Sequence, residues 1–123
     1  MANMTVKISA DSDVMQELED LVNEQNLHYV FITGGRGKLK DIAIVSHGMD
    51  SSINKIKLAG PCELLTVSGK IEKGKERTNT NIRVILKGAD GNKAGDGQLV
   101  SAKVFDDLEL DLRHVDTKKI IIG

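Results

Sequence analysis

The chain has 123 residues, of which 40% are hydrophobic and 28% are charged. This composition excludes collagen-like, mucin-like and disordered proteins, and the length predicts one domain that folds without disulfides or metals. Since 17 lysines and arginines face 18 aspartates and glutamates, the net charge of −1 excludes a positive field around the whole molecule. Nucleic acid would therefore have to be bound by a local basic patch.

One helix is predicted near the amino terminus, over about residues 13–25. Its apolar residues recur with helical spacing and form one stripe, made of Val14, Leu18, Leu21 and Val22. Asp13 followed three residues later by Gln16 resembles a capping box. Asn26 is suited to the left-handed conformation that ends many helices.

The rest of the chain has the pattern of about seven strands. They are predicted at residues 27–33, 41–46, 54–58, 63–68, 81–86, 99–104 and 108–112. Turns are expected at the glycine-rich segment 34–37, at the polar segment 47–52 and at 89–92. Because several connections are short, the sequence predicts an α+β domain with a mixed, largely antiparallel sheet and one main N-terminal helix.

The whole chain, 1–123, is expected to form a single domain with a core at about 7–112 and a C-terminal tail at 113–123. The tail carries Ile120, Ile121 and Ile122, which would pair either within the protein or with another subunit. Cys62 is the only cysteine, and no segment resembles a signal peptide or a membrane span. We therefore expect a cytoplasmic protein without a membrane partner.

The residues give little sign of catalysis or of a cofactor. The run from Gly34 to Lys38 resembles a phosphate-binding loop, but Leu39 replaces the required Ser or Thr, so a tight turn is favoured. The histidines, His28, His47 and His114, lack the spacing of metal ligands. Cys62 is interpreted as a small buried hydrophobic residue. The sequence thus predicts no catalytic residue, no metal site and no cofactor.

Two charged groups of residues remain. The acidic residues Asp106, Asp107, Glu109 and Asp111 are expected on a solvated strand face rather than in a cation site. Basic residues cluster in three segments that could contact phosphates if the loops converge: Arg36, Lys38 and Lys40; Lys55 and Lys57; and Lys70, Lys73, Lys75 and Arg77. The candidate contacts are taken from the first and third of these clusters: Arg36, Lys38, Lys40, Lys73, Lys75 and Arg77. If these loops do not converge, the same residues are ordinary solvated loop tips.

The segment 58–69, LAGPCELLTVSG, resembles the signature of the PPC domain, which is shared by plants and prokaryotes. Three further segments are similar to that family: ITGGRGKL at 32–39, VILKGADG at 84–91 and GDGQLV at 95–100. The similarity extends over about residues 7–112. It implies a compact α+β domain that forms homotrimers.

The family also suggests a function. Its plant members join the domain to AT-hooks that bind A·T-rich DNA, and its stand-alone prokaryotic members are described as predicted DNA-binding proteins. This chain has no AT-hook, since Arg36-Gly37-Lys38 lacks the proline-flanked Arg-Gly-Arg core. The resemblance therefore implies a DNA-associated regulatory homotrimer that is not an enzyme, with these six basic residues as candidate contacts to duplex DNA.

The resemblance suggests an alternative function as well. Many prokaryotic members carry histidines that look like metal ligands at positions matched here by Asn81, Arg83 and Gln98. Amides and a guanidinium are poor ligands for transition metals, whereas an Arg suits carboxylates and phosphates. The alternative is thus a small anionic ligand bound without catalysis in a polar pocket at the subunit boundary. Gly95 and Gly97 would let the backbone approach that ligand.

Overall fold

A computed structural model describes residues 2–47, 50 and 52–115. In chain order the elements are β1 (Ala2–Ser9), α1 (Val14–Glu24), β2 (Tyr29–His47), β3 (Ile53–Leu58), β4 (Cys62–Lys73), β5 (Thr78–Lys87) and β6 (Lys93–Val115). All strand pairs are antiparallel. The predicted α+β class is confirmed, but the described residues form six strands rather than seven.

The predicted turn at 34–37 is wrong, because β2 continues as one strand of 19 residues. Its glycines let β2 pass very close to β6: a Cβ on Gly37 would lie 2.5 Å from the carbonyl oxygen of Asp107. The phosphate-loop alternative fails with the turn, since no loop forms there. The predicted strands at 99–104 and 108–112 likewise belong to one strand, β6. β1, which pairs with β6 along its length, was not among the predicted strands.

Four of the strands close into a ring. β2 pairs with β4, β4 with β5, β5 with β6, and β6 again with β2. Register shifts in the β2–β6 pairing accompany the bending of these long strands. β1 extends the sheet from β6, and β3 extends it from β2.

The core is formed by the inward-facing side chains of these strands and by one face of α1. Val14, Leu18 and Val22 of the helix are buried, as the predicted stripe requires. Asp13 is the N-cap and accepts a hydrogen bond from the Gln16 backbone N–H at 3.0 Å. The Gln16 side chain bonds to Asp20 instead of returning to the cap, so only half of a capping box forms. Asn26 has the expected left-handed backbone, with φ 52°.

One of the predicted turns is confirmed, whereas another turn and the C-terminal tail lie partly or wholly outside the described residues. The turn at 89–92 is confirmed by hydrogen bonds from the Gly88 N–H to the Asn92 carbonyl and from the Gly91 N–H to the Gly88 carbonyl. β2 and β3 form a hairpin that is paired up to His47 and Ile53, but parts of the predicted turn at 47–52 lie outside the described residues. Residues 116–123, including the three tail isoleucines, also lie outside them. Among the described residues, no helix is long and apolar enough to cross a membrane.

Candidate functional site

The structure brings three of the predicted ligand-binding residues together on the outer face of the sheet, away from the core. Asn81 and Arg83 point outward from β5, because they alternate with the buried residues Ile82 and Val84. Gln98 of β6 lies directly opposite Arg83 in the strand register. Side chains at such positions are close neighbours, so a guanidinium and two amides share one surface.

Gly95 and Gly97 occupy the inward-facing positions of the same stretch of β6. A Cβ on Gly97 would lie 2.5 Å from the Val45 carbonyl oxygen, and a Cβ on Gly95 would lie 3.3 Å from Cδ1 of Ile44. Both glycines are buried. In the structure they make room for β2 to pack against β6, on the opposite side of the strand from Gln98.

Two residues outside the predicted ligand-binding set complete this surface. Ser68 and Lys70 point outward from β4, where Ser68 pairs with Arg83 and Lys70 pairs with Asn81. We name Ser68, Lys70, Asn81, Arg83 and Gln98 the Arg83 cluster. The sequence pattern that could have placed Ser68 and Lys70 on this face is the alternation of polar residues with the buried residues Val67 and Ile71. This alternation continues across Gly69. The predicted strand, 63–68, stops at Ser68, whereas β4 continues to Lys73.

Arg83 is the central cation of the Arg83 cluster, and it has no carboxylate partner among the residues that the structure describes. The ion pairs among the described residues do not include Arg83. Lys70 Nζ lies 3.5 Å from Glu72 Oε2, and both side chains are about half exposed. Asp96 of β6 bonds to Lys93, which lowers the pKa of the Asp96 carboxyl, and Arg83 lowers it further. The nearest acidic side chain on β6 thus already has a cation of its own.

Of the three predicted basic residues that lie on β2, Arg36 and Lys40 form ion pairs with carboxylates. Arg36 Nε lies 2.7 Å from Glu109 Oε2, and Arg36 Nη1 lies 3.2 Å from Asp111 Oδ2. Hydrogen bonds to these carboxylates raise the pKa of Arg36, and Arg36 in turn lowers the pKa of Asp111. Lys40 is paired with Asp11, which lowers the pKa of that carboxyl. The acidic residues Glu109 and Asp111 therefore serve a structural ion-pair network.

Lys38 is the remaining basic residue of this segment, and the ion pairs of the described residues do not include it. It lines a groove of about 420 Å³ whose wall includes Glu63, Asp106, Asp107 and Glu109. The carboxylates there outnumber the basic side chains, which is unfavourable for a polyanion.

The second basic group lies at the turn between β4 and β5. Lys73 donates a hydrogen bond to Asn26 Oδ1 at 3.1 Å, while Lys75 and Arg77 are exposed. Neither Lys75 nor Arg77 takes part in the ion pairs found among the described residues. Two carboxylates, Glu19 and Glu76, line the same shallow groove. We name Lys73, Lys75 and Arg77 the hairpin set.

The two basic groups do not converge at one end of the sheet. Lys38 pairs with Glu63 at the start of β4, whereas Lys73 follows ten residues later at its end. Ten residues of extended strand span about 30 Å. The two groups therefore lie at opposite ends of β4.

No other part of the described chain has the features of a catalytic or metal centre. Cys62 is buried, and burial raises the pKa of its thiol, which disfavours the reactive thiolate. The described residues contain no group of three His, Cys, Asp or Glu side chains placed to hold a metal ion.

These features define a small α+β domain built on a closed antiparallel ring, with a polar cluster on its outer face. The family model of the Plants and Prokaryotes Conserved (PCC) domain matches residues 1–115, and the chain belongs to this family. This confirms the resemblance noted in the sequence. A comparison with curated proteins gave no match.

Solved structures share the fold at low sequence identity. A plant- and prokaryote-conserved protein from Pyrococcus horikoshii is 17% identical with a TM-score of 0.80, covering 94% of this chain and 80% of its own. A metal-containing protein from Archaeoglobus fulgidus is 23% identical with a TM-score of 0.77, covering 93% and 80%. A "putative DNA-binding protein" from Bacteroides thetaiotaomicron is 15% identical with a TM-score of 0.81, covering 93% and 79%.

Proposed function

We propose that this chain is a cytoplasmic, DNA-associated regulatory protein that acts as a homotrimer and has no catalytic activity. The observation that carries the proposal is the hairpin set, where Lys75 and Arg77 are exposed and lie outside the ion pairs of the described residues. Family membership and the name given to the Bacteroides thetaiotaomicron structure support it.

Self-association is supported by large apolar side chains on the outer face of the sheet. Leu65 is 46% exposed and Ile85 is 36% exposed, both on strands of the ring. Contact with a second copy would remove this apolar surface from water. A trimer also presents three hairpin sets, and linked contacts with one duplex bind more tightly than a single contact.

The test is the affinity for duplex DNA, measured by fluorescence anisotropy at two salt concentrations with mixed and A·T-rich sequences. Binding is expected to weaken steeply with added salt, because each phosphate contact releases counterions. The double variant Lys75→Gln/Arg77→Gln should bind more weakly and with a shallower salt dependence. Lys38→Gln is the matched control, because Lys38 lies on β2 beside the other end of β4. It should leave the affinity and its salt dependence unchanged.

The oligomeric mass should be measured on the same samples by sedimentation. Absence of binding at low salt in a sample that sediments as a trimer would refute the DNA proposal. A monomer that binds DNA would refute the trimer, and the hairpin set would remain the proposed DNA contact.

A second candidate function is the binding of a small anion. The observation that favours it is the position of Arg83, unpaired among the described residues and flanked by the amide-bearing residues Asn81 and Gln98. An anion that binds only the folded state raises the thermal midpoint. Anionic metabolites are therefore expected to stabilise the protein, and Arg83→Gln should abolish that effect. A set of anions that leaves the midpoint unchanged would count against this function.

A further inference from the structure

We infer that the Arg83 cluster binds a small phosphate monoester in its dianionic form, with Lys70 as the second cation of the site. This inference rests on the anion-binding function proposed above and specifies its ligand. It depends on three features of the cluster: the spacing of its two cations, its neutral donors and the weakness of the competing carboxylates.

The strand register places the two cations within reach of one ligand. Lys70 lies opposite Asn81, and Arg83 is two residues further along β5 on the same face. Such diagonal neighbours are separated by about 7–8 Å, a gap that two long side chains span easily. The guanidinium and the ammonium can therefore approach one anion from two sides, with Ser68 and Asn81 between them.

The neutral members of the cluster supply further hydrogen-bond donors. Ser68 offers a hydroxyl, and Asn81 and Gln98 offer amide N–H groups. All three lie next to a cation in the register: Ser68 and Gln98 flank Arg83 on neighbouring strands, and Asn81 pairs with Lys70. A tetrahedral phosphate has enough oxygens to accept from both cations and from these donors together, whereas a carboxylate has two.

The carboxylates near the cluster compete weakly. The Lys70–Glu72 pair is a single contact of 3.5 Å between side chains that are about half exposed to solvent, and such surface pairs contribute little. Asp96 is already bonded to Lys93. Near neutral pH a phosphate monoester carries close to two negative charges, which match the two cations of the site. A monocarboxylate would neutralise only one of them.

The planar guanidinium of Arg83 favours the same ligand, because it can donate two parallel hydrogen bonds to a phosphate. The exposed ring of Phe31 lies beside Lys70, since these two residues pair between β2 and β4. It offers an apolar surface to the organic part of an ester. Inorganic phosphate should therefore bind at the site, and phenyl phosphate should bind more tightly.

The experiment is a calorimetric titration of the full chain with inorganic phosphate, phenyl phosphate and acetate at constant ionic strength. Phosphate should bind at least about tenfold more tightly than acetate, as expected for one additional charge-assisted hydrogen bond. Lys70→Gln should reduce the phosphate affinity by about the same factor and leave acetate unchanged, while Lys70→Arg should restore phosphate binding. Lys57→Gln, at an exposed position of β3 outside both proposed sites, is the matched control and should change neither.

The outcomes separate this inference from the function on which it rests. Equal affinities for phosphate and acetate, or a Lys70→Gln variant that binds phosphate normally, would overturn the dianion site while leaving an anion site at Arg83. Absence of binding of all three anions would refute the anion-binding function itself. Lys70 and Arg83 have exposed side chains, and a far-ultraviolet circular dichroism spectrum of each variant establishes that it is folded.

Discussion

Single glycines determine how closely the strands of this ring pass one another. At Gly37, Gly69 and Gly97 the backbone has positive φ, and a Cβ would lie within 2.5 Å of a carbonyl oxygen on the neighbouring strand. An L-residue at such a position would be strained and would collide with backbone, which cannot move aside as a side chain can. Gly69 also lies between Ser68 and Lys70, so it sets the position of the Arg83 cluster.

Gly69→Ala should destabilise the protein by about 2 kcal/mol or more, because backbone strain and steric overlap both contribute. The added Cβ would lie 2.2 Å from the Asn81 carbonyl oxygen, at φ 157°. Urea unfolding measures the change. Gly34→Ala is the control: its Cβ would make an ordinary 3.4 Å contact with Asp111 Oδ2, so its stability should stay near that of the parent. Equal effects in both variants would contradict this explanation.

The contact between Arg36 and Asp111 should give a stability difference that depends on pH. Arg36 holds the pKa of Asp111 below its ordinary value of 3.8, chiefly through a hydrogen bond. A carboxyl with a lowered folded-state pKa adds stability above its unfolded pKa and loses it as the pH falls through the folded value. Arg36→Gln should therefore be less stable than the parent at neutral pH, and the difference should shrink in acid below the folded-state pKa of Asp111.

Urea midpoints of the parent and Arg36→Gln across that acidic range provide the measurement. Lys38→Gln serves as the control, because Lys38 lies outside the ion pairs of the described residues. A difference that persists unchanged in acid would show that Arg36 acts by packing rather than by charge.

At the scale of elements, the start of the helix depends on its N-cap, Asp13, the residue just before α1. Replacing the N-cap in Asp13→Ala leaves the Gln16 N–H without its acceptor and should cost about 1 kcal/mol of stability. Asp13→Ser retains a capping oxygen and should lose much less. Urea unfolding of the two variants separates the cap from other effects, since equal losses would show that capping is not the cause.

The elements differ in how far the sequence could predict them. The helix was predictable because its stripe, N-cap and stop are all local, and Val14, Leu18 and Asn26 behave as their spacing indicates. β1 was also within reach, since Met4, Val6 and Ile8 alternate with polar residues. The length of β2 was not, because its continuation through Gly37 depends on the close passage of β6, a partner about seventy residues away in the chain.

The candidate site shows the same limit. Asn81, Arg83 and Gln98 could be singled out by resemblance, and the alternation along β5 gives Asn81 and Arg83 a common face. Lys70 became part of the cluster only through the pairing of β4 with β5. The separation of the two basic groups could not be predicted either, because it depends on which end of β4 lies beside Lys38. Glu63 at the start of β4 pairs with Lys38, whereas Lys73 lies at the other end.

At the scale of the whole molecule, ring closure divides the sheet into protected and exposed parts. The first residues of β2 are paired with β4 on one side and with β6 on the other, and Val30 and Ile71 there are fully buried. β3, in contrast, pairs with β2 alone, and four of its six residues are exposed. β3 can therefore separate from β2 without opening the ring.

Native-state hydrogen exchange should reveal this division. The slowest amides, around Val30 and Ile71, are expected to exchange only through global unfolding, because releasing them breaks the ring. The amides of β3 should exchange through local opening, with a free energy lower by roughly 2 kcal/mol or more. Low concentrations of urea should accelerate exchange around Val30 and Ile71 and leave exchange in β3 almost unchanged, since local opening exposes little surface. Equal protection and equal urea dependence in both places would mean that β3 unfolds only together with the ring.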